Sequence, residues 1–586
     1  MYLENIKSPK DLKKLKVADL HAVADEVRRA VINRVSKHGG HVGPNLGFVE
    51  ATVALHYVFD APTDKIVFDV SHQSYPHKIL TGRVEGFLSD DKMQGISGYS
   101  SPRESPDYDM FEIGHTSTSI ALATGLQKGR DILGGRENVV AVIGDGSLTG
   151  GQAFEGLNIG AEIGTNLIVV VNDNEMSIAE NHGSIVQNLA HLRATAGQTD
   201  NNYFRTLGFD YVYLEEGNNV ERLVEVFSKV KDIDHPIVVH IHTEKGHGFA
   251  PAVENKERWH YNGPFDPADG RPLMKFDGED IESMLGEYLS ERIKTDKKLV
   301  VISAATPGGF GFTSERRIAA GKQYIDVAIA EEEAVALASG ITRRGARAVF
   351  TDYATFFQRT YDQMAQDLAV NGNPAVLNVI GATISGMNDF THICFFDIAM
   401  ISHIPNLHYL APTSYEELIA MENWAIEQTD YSIAIRVPEG PVVHDPTPQD
   451  TDYSRIDTFK MLSRGADVTI IGVGNFLPKA KRVAQLLGQK GINATVINPR
   501  WVSGIDADMM NDLKKDHRLV VTIEDGVLDG GFGERVARFF GPTKMRTLCF
   551  GVKKMLYDRY NVDELMAENH LGDNQIAEDI LATLAE

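Results

Sequence analysis

The sequence has few cysteines, no excess of basic residues and no long apolar run, and each lack excludes a class of protein. Its two cysteines, Cys394 and Cys549, cannot build a disulfide framework, so we interpret both as small buried hydrophobic residues. The formal net charge of -24 argues against a nucleic-acid or anionic-membrane partner. No segment approaches the roughly eighteen apolar residues that a membrane helix needs, and the first residues contain no apolar signal region. We therefore expect a soluble, cytoplasmic protein.

What the chain does have is length. Its 586 residues predict several domains rather than one core. Apolar residues recur at helical spacing over residues 11–36, which predicts two helices there. Two stretches have the composition of linkers: residues 262–298 are rich in Pro and Gly and then acidic, and residues 444–457 are acidic. They separate three regions in which strands and helices alternate, which is typical of α/β domains.

One stretch, residues 142–178, organises the rest. A predicted strand over 139–143 leads into GDG at 144–146. A predicted helix follows over about 152–163, and a second strand over 167–171 ends at NDN, residues 172–174. Parallel strands of such a βαβ unit end at one edge of the sheet, so Asp145 and Asn174 should meet where ligands of open α/β sheets bind. Their oxygens suit a small hard cation that also takes phosphate oxygens. Glycines and a helix N-terminus favour a diphosphate beside it, although GDG alone is also an ordinary tight βα turn.

GDG followed by NDNEMSI resembles the 1-deoxy-D-xylulose-5-phosphate synthase branch of the transketolase-like family of thiamine-diphosphate enzymes. The resemblance implies thiamine diphosphate and Mg²⁺ as cofactors. It implies that Asp145, the Asn174 side chain and the Met176 carbonyl bind the metal, and that Gly146, Ser147 and Asn174 contact the cofactor.

Two further loops carry histidines that the resemblance assigns to the active site. His41 lies in a glycine-rich loop with a helix starting just after it, where a lone histidine is ordinarily a surface residue. His72 follows a buried-type strand over residues 66–70, and the family usually has Gly where this chain has Ser71. The resemblance places His72 beside the cofactor.

Other loops complete the first region. Gly114, His115 and Thr116 precede an apolar helix, where the following Ser and Thr residues form an ordinary N-cap cluster, but the resemblance gives the three residues to the cofactor. Lys245 and Phe249 match loop positions near the cofactor, and His260 matches an active-site histidine. Separate Gly/His loops at βα edges favour one shared pocket. The polar segment over 181–204 is shorter than in the family, so the lid is expected to differ.

In the second region, a predicted strand over 326–330 leads into a helix that begins at Glu331. Thiamine chemistry needs a carboxylate that favours the imino form of the aminopyrimidine, which then removes the thiazolium C2 proton to give the ylid. Glu331 matches the family glutamate with this role. The alternative is an acidic first helical turn made of Glu331, Glu332 and Glu333, which the helix dipole stabilises. Three adjacent acids should also raise one pKa by repulsion.

Residues 348–364 predict a strand followed by an aromatic-rich helix. An aromatic stripe at helical spacing is more often core, but Tyr353, Phe356 and Arg359 match family positions that pack on the cofactor ring or touch the acceptor. His392 is also retained. Arg436 matches a phosphate-binding arginine of the family, and arginine clamps contribute much of phosphate recognition.

The largest departures from the family also fall in this second region. Gly381 stands where the family has a second phosphate-binding arginine, and Asn388 stands where it has an aspartate. Both changes put the usual acceptor, D-glyceraldehyde 3-phosphate, in question.

The fold class we expect is three doubly wound α/β domains, joined by linkers over 271–298 and 446–466: a diphosphate- and metal-binding domain over 1–270, a pyrimidine-binding domain over 299–445, and a transketolase C-terminal-like domain over 467–586. The glycine runs at 472–474 and 530–533 are read as tight turns. The resemblance implies a homodimer with the cofactor clasped between the first two domains.

The activity that the resemblance implies is decarboxylation of pyruvate and ligation of the two-carbon unit to an aldose phosphate or a related aldehyde, in isoprenoid-precursor and thiamine biosynthesis. Glu331 activates the cofactor, while His41, His72, His260 and His392 move protons or orient substrate. Other classes stay open: transketolase-type ketol transfer, ligation to a different aldehyde, a non-catalytic thiamine-diphosphate-binding protein, and a Rossmann oxidoreductase.

Overall fold

The computed structural model describes residues 2–274, 278–387 and 389–585, and it divides the chain into two compact units. The first comprises Met1–Asp277 and Ala328–Ala330, and the second comprises Gly278–Val327 and Glu331–Glu586. Both units are built on parallel sheets covered by helices, so the predicted α/β class is confirmed. In the described ranges, no helix is long and apolar enough to cross a membrane.

The first unit contains a parallel sheet of five strands in the order β2-β3-β4-β6-β5, and a short antiparallel pair, β1 and β7. Its strands are β1 (Gly40–His41), β2 (Lys65–Phe68), β3 (Val139–Gly144), β4 (Leu167–Asp173), β5 (Asp210–Leu214), β6 (Pro236–His242) and β7 (Tyr261–Asn262). Side chains alternate along β3: Val140 and Val142 join one hydrophobic core, while Ala141 and Ile143 join another. The sheet is therefore buried on both faces, as doubly wound sheets are.

Helices on the two faces supply the rest of both cores. They are α1 (Pro9–Leu12), α2 (Leu20–His38), α3 (Gly43–Gly47), α4 (Val49–Val58), α5 (Tyr75–Lys78), α6 (Glu85–Leu88), α7 (Ser119–Ile132), α8 (Gly151–Ile163), α9 (Ser184–Ala194), α10 (Tyr203–Leu207), α11 (Val220–Val230) and α12 (Ala250–Glu254), with a π-helical turn at Ile79–Arg83. Near the organising stretch the predicted boundaries differ from β3, α8 and β4 by two residues at most. The 181–204 segment contains α9 and the first two residues of α10.

The second unit begins with a parallel sheet of six strands in the order β12-β13-β11-β10-β8-β9. These strands are β8 (Leu299–Ser303), β9 (Tyr324–Asp326), β10 (Arg347–Tyr353), β11 (Val376–Ile380), β12 (Leu407–Leu410) and β13 (Ser432–Val437). The prediction of a strand over 326–330 is wrong, because β9 ends at Asp326. Ala328 has φ +62°, a left-handed conformation that a strand does not adopt.

A second sheet of five strands, in the order β14-β16-β15-β17-β18, follows in the same unit. Only β14 runs antiparallel to its neighbour. The strands are β14 (Lys460–Ser463), β15 (Asp467–Gly472), β16 (Thr495–Asn498), β17 (His517–Val527) and β18 (Arg546–Val552). One hydrophobic cluster includes Leu377 and Tyr409 from the first sheet and Ile471 and Phe532 from the region of the second. This shared core explains why the two sheets form one compact unit.

The helices of the second unit cover both sheets. They are α13 (Ile281–Thr295), α14 (Ser314–Ala320), α15 (Glu331–Arg343), α16 (Asp397–Ile401), α17 (Tyr415–Glu427), α18 (Leu477–Gly488), α19 (Ala507–Leu513), α20 (Phe532–Phe540), α21 (Val562–Glu568) and α22 (Asp573–Ala585), with a 3-10 turn at Phe356–Thr360 and a π-helical segment at Gln363–Ala369. The carboxyl ends of β10, β11 and β13 lie side by side, because Tyr353 pairs with Ile380 and Ile380 pairs with Val437.

Candidate active site

Two turns meet at the carboxyl edge of the first unit's sheet. Gly144 at the end of β3 pairs with Asn172 near the end of β4, so Asp145 and Asn174 emerge from neighbouring strands. Asn181 Nδ2 donates to Asp145 Oδ2 at 2.7 Å and orients that carboxylate. The Oδ1 atom of Asn174 is buried and has no hydrogen-bond partner. A buried amide oxygen without a partner is costly unless a ligand satisfies it, and a hard cation bridging to phosphate oxygens has the chemistry to do so.

The metal ligands expected here are one carboxylate, one side-chain amide and one backbone carbonyl. In the described residues, no group of three or more His, Cys, Asp or Glu side chains could hold a metal ion. Burial, followed by the charge of Asp173, raises the pKa of Asp145 well above its ordinary value. A cation at this edge would favour the ionised form. Met176 lies in the loop just after β4 and forms an isolated bridge with Glu180.

Gly146 allows the two turns to approach closely. A Cβ on Gly146 would lie 3.1 Å from both Cβ and Oγ of Ser177, and 3.2 Å from its Cα. Any larger residue would therefore push the GDG turn away from the loop that carries Asn174 and Met176. From the other side, Lys245 Nζ donates to the Ser177 carbonyl at 2.6 Å. Lys245 is 1% exposed, and burial lowers its pKa to about 7.

The 114–118 loop is held by a buried carboxylate. Asp69, at the end of β2, accepts the backbone N–H groups of Ser117 and Ser119, each at 2.8 Å. Ser117 Oγ donates to the Ser147 carbonyl at 2.8 Å, which joins the loop with Gly114, His115 and Thr116 to the turn after the GDG sequence. The structure thus brings these three residues and Ser147 into one neighbourhood.

Ser71, which replaces the glycine usual in the family, is accommodated in a left-handed conformation. Its φ is +66°, a region that favours glycine. Its hydroxyl donates to the Ile113 carbonyl at 2.8 Å and accepts the Ser100 N–H at 2.7 Å. These bonds anchor the backbone immediately before His72, so they offset part of the strain that a side chain introduces here.

Three predicted histidines form one cluster. The ring centroids of His41 and His72 are 5.0 Å apart, those of His41 and His260 are 5.5 Å apart, and those of His72 and His260 are 5.3 Å apart. The β1–β7 pair creates this cluster because it aligns His41 with Tyr261. Burial, then Lys245, His72 and His41, lower the pKa of His260 well below its ordinary value. His260 is therefore neutral near pH 7 and can accept a proton or a hydrogen bond.

Phe249 has a different setting from the other predicted cofactor contacts. Its ring packs edge-on against Trp259 at 5.1 Å and beside Phe265 at 5.8 Å, within the hydrophobic core of the first unit. Through Trp259 it supports the segment that carries His260.

In the second unit, Glu331 begins α15 and is 4% exposed. Arg359 Nη1 lies 3.4 Å from Glu331 Oε2. Burial raises the pKa of Glu331, Arg359 opposes the shift and Glu332 adds to it. Repulsion between adjacent acids, expected from the sequence, is thus a contributor, but burial is the larger cause.

Aromatic residues after β10 form a second group. Tyr353 and Phe356 meet edge to face with centroids 5.9 Å apart, and Phe356 meets His392 in the same way at 5.8 Å. Because Phe356 and Arg359 share one 3-10 turn, this group lies near Glu331. Burial lowers the pKa of His392 to about 4. Gly381 adjoins the group, since a Cβ there would lie 3.2 Å from the Tyr353 ring. Asn388 lies outside the described residues.

The Arg436 side chain is buried and paired, so it is not accessible to a substrate. It is 1% exposed, its Nε donates to Asp397 Oδ2 at 2.7 Å, and its Nη1 donates to Asp525 Oδ1. Asp397 lies beside the first sheet of the second unit, and Asp525 lies in β17 of the second sheet. The guanidinium therefore ties the two sheets together, a contact that its place in the AIRVPEG sequence does not reveal.

Sequence reasoning missed residues that hold the predicted ones. Asn181 and Asp69 orient the first-unit loops. Ser177 packs against Gly146, and its carbonyl accepts the hydrogen bond from Lys245. Asp352 in the second unit is fully buried, and its Oδ2 has no hydrogen-bond partner. Asp69 and Asp352 could have been found as acids at the carboxyl ends of buried strands. Asn181 gave no comparable signal, because it lies in a polar irregular segment.

Comparison with known proteins agrees with this fold. A family model described as 1-deoxy-D-xylulose-5-phosphate synthase matches residues 3–201 and 193–243. Models described as the transketolase pyrimidine binding domain and the transketolase C-terminal domain match residues 279–442 and 457–576. Doubly wound modules of these types define a thiamine-diphosphate-dependent transferase, so thiamine diphosphate is the cofactor.

Similar proteins identify the family within this class of transferases. The protein named 1-deoxy-D-xylulose-5-phosphate synthase 1 of Geobacter sulfurreducens is 37% identical over 97% of this chain and 95% of its own length. A protein named 1-deoxy-D-xylulose-5-phosphate synthase from Carboxydothermus hydrogenoformans is 38% identical over 92% of this chain and 92% of its own length. One of the same name from Thermomicrobium roseum is 37% identical over 100% of this chain and 98% of its own length. The chain belongs to the 1-deoxy-D-xylulose-5-phosphate synthase family.

Proposed function

We propose that this protein decarboxylates pyruvate and joins the remaining two-carbon unit to an aldehyde, with D-glyceraldehyde 3-phosphate or a related aldehyde as acceptor. The C1–C2 bond of pyruvate breaks and CO2 leaves. A new bond forms between C2 of pyruvate and the aldehyde carbon, and the aldehyde oxygen takes up a proton. The observation that carries this proposal is Glu331, a buried carboxyl at a helix N-terminus that is held by Arg359.

In this proposal the first unit holds the diphosphate half of the cofactor. Asp145, Asn174 and the Met176 carbonyl bind Mg²⁺, and the unpartnered Asn174 Oδ1 supports this assignment. The diphosphate and the adjoining ring are held by the loops of this unit: His72, Gly114, His115, Thr116, Gly146, Ser147, Lys245 and Phe249. We also propose the module boundaries 1–270, 299–445 and 467–586.

When bound, thiamine diphosphate supplies the carbon nucleophile that stores the electron pair released with CO2. Glu331 holds or gives up the proton that bridges it to the aminopyrimidine. His41, His72 and His260 exchange protons with substrate oxygen atoms, and the neutral state of His260 suits it to accept one. Tyr353, Phe356 and His392 bound the space for the acceptor, and Arg359 positions Glu331. We propose that two copies of the chain form a homodimer, as the family resemblance implies.

The test is release of labelled CO2 from 1-¹³C-pyruvate by the purified chain with thiamine diphosphate, Mg²⁺ and D-glyceraldehyde or D-glyceraldehyde 3-phosphate. We expect CO2 release and a product of matching mass, both dependent on cofactor and metal. A chain that releases no CO2 but transfers a ketol unit from a ketose phosphate would instead be a transketolase-type enzyme. Gly381, at a predicted phosphate-binding position, gives that second candidate its motivation.

A further inference from the structure

The region around Tyr353 has acidic neighbours where a phosphate-binding site needs basic ones. Tyr353, Gly381 and Glu439 follow the carboxyl ends of β10, β11 and β13, three strands that pair side by side. A Cβ on Gly386 would lie 3.4 Å from Glu439 Oε2, so the Glu439 side chain lies over the loop that starts at Gly381. This places a carboxylate at the edge where the acceptor is expected.

A second acid lies at the start of α13. Glu282 is in the first turn of that helix, and its Oε1 is buried without a hydrogen-bond partner. Burial, then Glu439 and Asp280, raise the pKa of Glu282 to about 8. Burial, then Glu282 and Glu439, raise the pKa of Tyr353 well above its ordinary value. A Cβ on Gly309 would lie 2.9 Å from the Tyr353 hydroxyl, and a Cβ on Gly311 would lie 2.9 Å from the Glu282 carbonyl oxygen, so the start of α13 and the Tyr353 ring border the same short loop.

Asp352 gives an independent sign that a ligand is expected here. Its side chain is fully buried, and its Oδ1 accepts Thr306 Oγ1 at 2.9 Å and the Tyr353 N–H at 2.9 Å. Its Oδ2 has no partner, although buried polar atoms are nearly always paired. A hydroxyl or amino group of a bound substrate would satisfy that atom.

The arginines that the resemblance assigned to the acceptor phosphate do not offset these acids. One position is Gly381, and the other, Arg436, is enclosed by Asp397 and Asp525. Arginine forks supply most of the geometry and charge of phosphate recognition. A phosphate dianion would meet carboxyl groups here in place of that fork.

We propose that the acceptor is an aldehyde without a phosphate, recognised through its hydroxyl or amino groups by Glu282 and Glu439 beside Tyr353 and by Asp352 at the end of the same strand. This rests on the proposed function and specifies its second substrate. The reaction balances as before: pyruvate loses CO2, and the aldehyde carbon gains the new C–C bond and a proton on its oxygen.

The experiment measures kcat/KM for three acceptors at saturating 1-¹³C-pyruvate: D-glyceraldehyde, 3-aminopropanal and D-glyceraldehyde 3-phosphate. We expect at least one unphosphorylated aldehyde to exceed the phosphate ester by about tenfold or more, the scale set by polar groups that a substrate must satisfy. A preference for the phosphate ester would overturn the inference and leave the proposed function standing. No CO2 release with any aldehyde would overturn both.

A charge-reversal variant tests the same point from the protein. Glu439→Lys should raise kcat/KM for D-glyceraldehyde 3-phosphate relative to D-glyceraldehyde by about tenfold, because it replaces a repelling charge with an attracting one. Glu578→Lys, an exposed glutamate on α22, is the matched control and should leave that ratio unchanged. An unchanged ratio in Glu439→Lys would place Glu439 outside the acceptor site and overturn its role.

Discussion

His41 and His260 lie with their ring centroids 5.5 Å apart, although they come from opposite ends of the first unit's chain. The antiparallel pairing of Gly40–His41 with Tyr261–Asn262 produces this contact, and His72 completes the cluster from the end of β2. The three histidines that we propose to exchange protons therefore come together beyond the carboxyl end of β2, the sheet edge that also carries the loops predicted to hold the cofactor.

Glu331→Gln keeps the size of the side chain but removes the acid. We expect CO2 release from pyruvate to fall by about 100-fold or more, because proton transfer at the cofactor depends on this carboxyl. The melting temperature should stay within a few degrees of the parent. Glu333→Gln, an exposed position in the same helical turn, is the control and should retain activity. Turnover near the parent rate in Glu331→Gln would refute the assignment.

Asn174→Ala should have opposite effects on thermal stability in the ligand-free protein and in the protein with thiamine diphosphate and Mg²⁺. Without ligand, removal of a buried amide oxygen that has no partner should leave the melting temperature unchanged or raise it. With thiamine diphosphate and Mg²⁺, the stabilisation seen in the parent should be lost, with affinity about tenfold weaker or more. Thermal melts and calorimetric titration measure both effects. An undiminished ligand-induced shift would exclude Asn174 from the metal site.

Gly146→Ala should separate cofactor binding from folding. The added Cβ would lie 3.1 Å from Ser177, so the two turns must move apart by a few tenths of an ångström. We expect a modest loss of stability, on the order of 1–2 kcal/mol, but a large loss of thiamine-diphosphate affinity by calorimetric titration. Adding Ser177→Gly relieves the Cβ and Oγ contacts and should restore part of the affinity. If the double variant binds no better than the single one, the close approach is not what matters.

Arg436→Met distinguishes a structural arginine from a substrate-binding one. The substitution leaves Asp397 and Asp525 buried without their cation, which should destabilise the second unit by about 3–5 kcal/mol in urea unfolding. Arg464→Met, which removes two exposed ion pairs to Asp512 and Asp516, should cost less than about 1 kcal/mol. A stable Arg436→Met protein with a raised KM for a phosphorylated acceptor would instead support the phosphate-binding role that the resemblance implies.

His392 should make the protein less stable in mild acid. Its folded pKa is about 4, below the unfolded value near 6.5, so between these values the unfolded chain binds more protons and stability falls as pH decreases. The contribution lost between pH 8 and pH 5 is about 2 kcal/mol for this one group. His392→Asn should therefore show a pH dependence of unfolding that is flatter by that amount in urea titrations. Parallel curves for the two proteins would contradict the lowered pKa.

The sequence predicted whatever depends on local pattern. Apolar runs and glycine turns located β3, α8 and β4 to within two residues, and strand direction placed Asp145 and Asn174 at one edge. The family resemblance assigned His41, His72 and His260 to one active site, and the structure brings their rings together.

Only the tertiary structure decided which groups face one another across distant parts of the chain. Arg436 looks available in its strand, but packing of two sheets encloses it between Asp397 and Asp525. Asn181 orients Asp145, and the Glu439 side chain lies over Gly386, through contacts that no local periodicity encodes. Burial, which is a property of the packed molecule, then sets the protonation of Glu331, His260 and His392. A sequence names the chemical groups, whereas their partners and their exposure to water exist only after folding.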